Sequence, residues 1–430
     1  VLERGTGWSA ELEAKVHAEA RAAGFQLSGL APAEPGGHER EGFAAWVAAG
    51  FAGEMEYLKR RDEAGTLLRS DVRVAIPWAR SVVVAALNYA AAGAAAAVRS
   101  VDEAPRTAGW IGRYAWSGRR RASASDDRAG AGVRSNGQAE LAPADYLAPA
   151  DYHDELLPRL RRIEAVIQAH GACETRCYVD TGPVLERSLA AWAGVGWIGR
   201  NTCVIHQQAG SWLLLGVVVT SLELAVVGAA GSATGFAANF AADRCGSCTR
   251  CVDACPTGAL LATREAGSPR TMDASRCIAY LTIEKKGAIA EELRERMGRQ
   301  VFGCDICQEV CPWNGNGNGN GSGAGRSPVV VTAGMETRRE LVNPELEWLA
   351  GMDAAEFKRW FKGSPLERTG KKRLRRNIAI AMGNSGETRF LPQLEAWAAG
   401  EDGVLAEAAA WAAARIQEAG SELTPPPWKS

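Results

Sequence analysis

The sequence predicts three units in order: an α/β domain over residues 1–235, an inserted cysteine-bound module over 236–313, and an array of helices over 329–430. Three observations carry this prediction. The first unit opens on an amphipathic helix pattern and ends in "SWLLLGVVVTSLELAVVGAA" (211–230), which reads as buried strands. Eight of the 11 cysteines then fall between positions 245 and 311, in two proline-ended runs and one isolated position. Beyond a Gly/Asn linker over 314–328, the stretch 371–416 reads as helix, Gly-containing turn, helix, turn, helix.

A chain of 430 residues with 47% hydrophobic content can bury two or three cores. Its net charge is −1, so any nucleic-acid surface must be local. The N-terminal helix pattern has no signal-peptide core. The run 211–230 carries Glu223 and is broken by Gly216 and Gly228, which argues against a bilayer span. The expectation is a cytoplasmic monomer away from membranes, where thiols stay reduced and disulfides are the weakest use of the cysteines.

The spacing decides between metals. Cys245, Cys248, Cys251 and Cys255 with Pro256 form C-x2-C-x2-C-x3-C-P, the bacterial-type ferredoxin run. Cys304, Cys307 and Cys311 with Pro312 form a second run one ligand short, and Cys277 is the obvious supplier. Structural zinc uses paired C-x2-C knuckles, which these runs fit poorly. The pattern therefore predicts two [4Fe–4S] clusters. In two-cluster ferredoxins the fourth cysteine of each run serves the other cluster. By that rule one cluster takes Cys245, Cys248, Cys251 and Cys311, and the other takes Cys255, Cys277, Cys304 and Cys307. Cys173, Cys177 and Cys203 read as small buried hydrophobes.

Upstream, "GVGWIG" matches G-x-G-x-x-G, but a helical stretch precedes it and a strand-like run follows, the reverse of a dinucleotide turn. The glycines better suit close approach of the backbone to another large, flat ligand. In "YVDTGPVLERSLA" a strand ends, Thr181 can cap and Pro183 suits a first helical turn. Asp180 therefore stands at a strand end facing a helix N-terminus, as a helix cap or as a catalyst.

Together, "DTGPVLERSLAAWAGVGWIGRNT", "CGSCTRCVDACPTGAL", "CIAYLTIEKKG" and "FGCDICQEVCPWN" resemble the epoxyqueuosine reductase family. "GFAGEMEYL" (50–58), "SVVVAALNY" (81–89), "GRYAW" (112–116) and "DYH" (151–153) agree with it. The resemblance implies a reductive-dehalogenase-like α/β domain holding base-off cobalamin, a ferredoxin-like two-cluster domain and a HEAT-like helical domain. It implies reduction of epoxyqueuosine to queuosine in tRNA, with electrons from an external low-potential donor such as flavodoxin or ferredoxin. Asp180 matches the family's proton donor. Arg69, Arg187, Trp197, Arg200 and Asn201 match motifs that line the corrin, with Lys285, Cys304 and Asp305 from the cluster side. The D-x-H-x-x-G motif of histidine-ligated cobalamin proteins is missing, since "DYHDEL" puts Leu156 where its glycine would stand. Ala279 replaces an expected serine, and Arg200 a common lysine.

The segment 117–150 is low in complexity and reads as a disordered surface loop. In the tail, Lys371, Lys372, Arg373, Arg375 and Arg376 crowd a helix start, the end that normally favours acids. With the resemblance, they are expected to bind tRNA phosphates together with Lys285 and Lys286. Two other classes compete. A reductive dehalogenase would share the cofactors but has no use for a basic helical tail. A simple electron-transfer module would leave the first 235 residues unexplained.

Overall fold

The chain, seen here as a computed structural model, is described over residues 7–34, 37–90, 104–120, 147–224, 243–263, 270–314 and 335–422. Four strands make the central sheet, in the order Leu27–Pro32, Ser81–Asn88, Leu213–Thr220 and Thr175–Tyr178. All its described pairings are antiparallel, with Val83 opposite Val218 and Leu30 opposite Val83. The architecture is thus a covered antiparallel sheet rather than a parallel α/β one. The two central strands read as unbroken apolar runs because helices cover both faces.

Alternation sorts their side chains. Val83, Ala85, Leu87 and Val218 face the helices Ala10–Ala22 and Tyr152–His170, meeting Leu12, Val16, Leu156, Leu160 and Ile163. Val82, Val84, Ala86, Val217 and Val219 face the helix Glu186–Trp192 and bury Leu189, Ala190 and Ala193. That helix packs so closely that a Cβ on Gly29 would collide with the Ala193 carbonyl. The backbone contact fixes where the helix, and the loop before it, can lie.

The cysteine module and the tail share one core. Ile278, Leu281, Leu293, Met297, Val301 and Phe302 pack with Leu374, Ile378, Met382, Ala409 and Ala412. The expected boundary near 328 therefore separates chain segments rather than hydrophobic cores. The first unit is stitched in too: Trp110–Ile111 pairs in parallel with Gln300–Phe302. The tail helices run Gly370–Ser385, Leu391–Ala398 and Gly403–Glu422, the first closed by Gly386 in the left-handed region (φ 72°).

One expectation fails at its edges. Within 117–150, Ser117–Arg120 and Leu147–Pro149 pair antiparallel, and Glu336–Thr337 adds a third strand. Short strands at each end of a low-complexity stretch leave too few residues for a visible alternation. Positions 121–146, the linker from 315 onward and the end of the apolar run from 225 lie outside the described residues. Among the described residues, no helix is long and apolar enough to cross a membrane.

Candidate active site

The strand Thr175–Tyr178 leaves the sheet through buried Val179 and delivers Asp180 in the left-handed region, at φ 55°. A non-glycine residue is held there only when its surroundings over-determine it. Gly182 lies on the Tyr178 ring, where a Cβ would collide with the ring carbons. The chain doubles back over that ring, and the helix begins only at Glu186, with Leu185 before it and no side-chain cap. Neither Thr181 nor Asp180 caps this helix, so the cap reading fails.

Asp180 is exposed and surrounded by named partners. The Tyr152 hydroxyl donates to its Oδ2 at 3.0 Å. Its own backbone N–H donates to Glu186 Oε1 at 2.7 Å. Burial, then the Asp180 carboxylate, push the Glu186 carboxyl up to about 8. Burial and the nearby carboxylates of Glu284 and Asp180 push Tyr57 up to about 12, and the Arg69 guanidinium lies 5.8 Å from its ring. Arg368, from the tail, lies 5.2 Å from the Tyr152 ring and pairs with Asp151 at 3.1 Å. The His153 Nδ1 lies 2.7 Å from Asp151 Oδ1 and 2.9 Å from the Arg368 guanidinium. Tyr57, Tyr152, Glu186 and Arg368 were not singled out from sequence. Glu186 looks there like an ordinary first-turn acid, and the other three come from distant segments.

The cysteine sulfurs gather at one end of the module. Cys251 lies near Cys245 and Cys248, and Cys311 near Cys245 and Cys251. Cys304 lies near Cys277 and Cys255, and Cys307 near Cys203, Cys304, Cys277 and Cys251. Cys203 stands near Cys277 and Cys251. Burial pushes Cys251 up to about 11 and Cys311 to about 12, and holds Cys304 and Cys307 well above the ordinary thiol range. Such thiols become thiolates only beside strong positive charge, which bound iron supplies. Among the described residues no three His, Cys, Asp or Glu side chains close round a single ion.

The residues expected to line the corrin stand at the meeting of the first unit and the cysteine module. The short hairpin of Trp197–Ile198 with Val204–Ile205 turns its tip toward the cysteine loop. Trp197 is buried with Ile205, Cys311, Cys245 and Trp313, and its indole N–H faces the Cys245 sulfur. Arg200, 1% exposed, donates Nη2 to the Gly246 carbonyl at 2.7 Å. Its Nε and Nη1 and the Asn201 Nδ2 are buried without partners. These two side chains hold donors ready for a group at the cysteine loop. Asp305 is buried and accepts from the Arg113 backbone N–H at 2.8 Å and from the Trp110 indole at 3.2 Å, tying the second cysteine run to the first unit. Arg69 and Arg187 do flank the Asp180 side, and Arg187 also donates to the Thr202 carbonyl at 2.7 Å.

The basic cluster divides as well. Arg376 is 1% exposed and donates to the carbonyls of Lys285 (2.8 Å), Gly287 (2.6 Å) and Leu281 (2.6 Å), so it cannot grip a phosphate. Arg373 donates to Ile283 O at 2.7 Å and Thr369 O at 2.6 Å, and Arg375 to Met352 O at 3.1 Å. Lys285 is paired with Glu54. A buried guanidinium has five donors to satisfy, and loop carbonyls are the nearest acceptors. Lys372 and Lys286 stay exposed, and Lys371 is half-exposed.

Residues 244–314 match the family model of the 4Fe-4S double cluster binding domain. With the site above, that defines a two-cluster iron–sulfur oxidoreductase. The curated epoxyqueuosine reductase of Xanthomonas campestris is 33% identical over 404 residues, 94% of this chain and 95% of that protein. That of Escherichia coli is 32% identical over 91% of this chain and 86% of its own. The chain belongs to the epoxyqueuosine reductase family. A crystal structure of epoxyqueuosine reductase with an epoxyqueuosine-modified tyrosine tRNA stem loop superposes with a TM-score of 0.69 at 25% identity, over 97% of this chain and 96% of that one. The Bacillus subtilis enzyme, with its catalytic aspartate loop swung out of the active site, gives 0.69 at 25% identity, over 94% of this chain and 90% of that one.

Proposed function

We propose that this chain reduces epoxyqueuosine to queuosine in tRNA, with Asp180 as the acid that protonates the departing epoxide oxygen. The observation that carries the role of Asp180 is its placement: an exposed carboxylate on a left-handed loop residue, hydrogen-bonded by Tyr152 and backed by Glu186. In a relative of this fold the catalytic aspartate also sits on a loop that can leave the active site.

Turning an epoxide into an alkene takes two electrons and two protons and releases water. When bound, the two clusters and a base-off cobalamin supply the electrons one at a time from an external low-potential donor such as flavodoxin or ferredoxin. The clusters are assigned to Cys245, Cys248, Cys251 and Cys311, and to Cys255, Cys277, Cys304 and Cys307. A shallow open cleft lined by Arg69, Ser70, Leu185, Ser188 and Trp192 adjoins the Asp180 loop.

The protein's own contribution is acid chemistry and orientation. Opening the epoxide leaves negative charge on oxygen, and a positioned acid is worth about a hundred- to ten-thousand-fold. Tyr152 fixes the direction of the Asp180 carboxylate, and Arg368 lies over the Tyr152 ring from the tail. Of the expected basic residues, exposed Lys286 and Lys372 and half-exposed Lys371 are left to meet tRNA phosphates, the latter two on a tail that we read as HEAT-like. The test is anaerobic turnover of a tRNA stem loop carrying epoxyqueuosine, with queuosine measured by mass spectrometry. Reconstituted protein that reduces no epoxyqueuosine under a low-potential donor would overturn the proposal.

A further inference from the structure

We propose that Glu186 is the positioning residue of this site, the group that pins Asp180 in its left-handed conformation. The inference rests on the reading of Asp180 as the acid.

Geometry comes first. Asp180 adopts φ 55°, a region costly for a residue with a Cβ. A strained residue needs an external tie, and its backbone N–H has one at 2.7 Å, to Glu186 Oε1. The tie spans the loop 181–185, so the first residue of the helix holds the residue that leaves the strand. That helix cannot slide, because Ala193 at its end abuts Gly29 of the sheet. The loop is therefore clamped from a rigid base.

Chemistry comes second. Asp180, Arg69 and Arg187 face Glu186, and burial with Asp180 outweighs the two arginines, pushing its carboxyl up to about 8. Protonated or ionised, the Glu186 carboxyl keeps an oxygen that can accept from the Asp180 N–H, so the tie does not depend on its charge.

The experiment compares Glu186→Gln, Glu186→Ala and Asp180→Ala in the full-length protein. Gln keeps an acceptor oxygen for the Asp180 N–H but cannot ionise. Amide exchange of the 178–185 peptide, read in protein without added cobalamin, should speed up in the Ala variant and stay near wild type in Gln. In turnover, Ala should lower kcat about tenfold or more with little change in KM for tRNA, and Gln should restore most of it. Wild-type exchange and turnover in Glu186→Ala, while Asp180→Ala is inactive, would overturn the positioning role. An active Asp180→Ala would instead overturn the underlying reading of Asp180.

Discussion

Tyr152, at the start of one helix, donates its hydroxyl to Asp180 Oδ2 at 3.0 Å, across a gap of 28 residues in sequence. Tyr152 is 7% exposed, and burial with the adjacent Asp180 charge holds its hydroxyl protonated far above neutrality. It can only donate. Tyr152→Phe removes one oriented hydrogen bond to a carboxylate, worth about 1.5–3 kcal/mol, without emptying the packing around the ring. Turnover should fall about tenfold with iron content unchanged, measured by single-turnover kinetics on epoxyqueuosine tRNA.

Asp180→Ala removes the acid itself. The loss of turnover should be about a hundredfold or more, with both clusters retained. Tyr152→Phe in that background should add little, because a donor whose acceptor is gone has nothing left to orient. Near-normal turnover of the single Asp180→Ala variant would remove Asp180 from the chemistry.

How much of this was legible in sequence follows from what was local. Cys245 to Cys255 lie within one loop, so their spacing alone announced iron–sulfur chemistry. The tail helices were legible because Gly386 closes the first of them with a left-handed turn. Asp180 was visible as a strand-end residue, but its φ of 55° was not, and that conformation is why Thr181 never caps a helix. Arg376 looked like part of a basic face because a sequence cannot show the Lys285, Gly287 and Leu281 carbonyls that absorb its donors. The Arg200 contact to the Gly246 carbonyl was hidden for the same reason, since Gly246 lies in another unit.

The crossed ligand assignment makes Cys277 a ligand of one cluster only. Wild type should hold about eight iron and eight acid-labile sulfide per chain, and Cys277→Ser should lower both toward about four. Because Cys277 packs against the shared core through its neighbours Ile278 and Leu281, the variant should also melt at a lower temperature. Iron that stays near eight, or falls to none, would contradict the assignment.

The tail offers the last test, because its cations do two separable jobs. Arg376 is buried, and burial lowers its pKa to about 10, yet its guanidinium serves three carbonyls of the segment 281–287. Arg376→Ala should leave those carbonyls unpaired at a cost of about 3–5 kcal/mol, loosening the tail from the cysteine module. The measurement is thermal denaturation, which should shift down by several degrees. Lys372 is 90% exposed at its side chain and only 3.9 Å from Asp402, a weak surface pair. Changing Lys371 and Lys372 to Ala should leave the melting temperature within about a degree, since exposed substitutions seldom matter to stability. If these lysines meet tRNA phosphates, each lost contact should flatten the log–log salt dependence of tRNA binding by roughly one unit. The weakening should be similar for all accepted tRNAs, because phosphate contacts position the molecule without reading its bases. A double variant with wild-type affinity and salt slope would move the docking surface away from this helix, toward exposed Lys286 beside the Lys285–Glu54 pair.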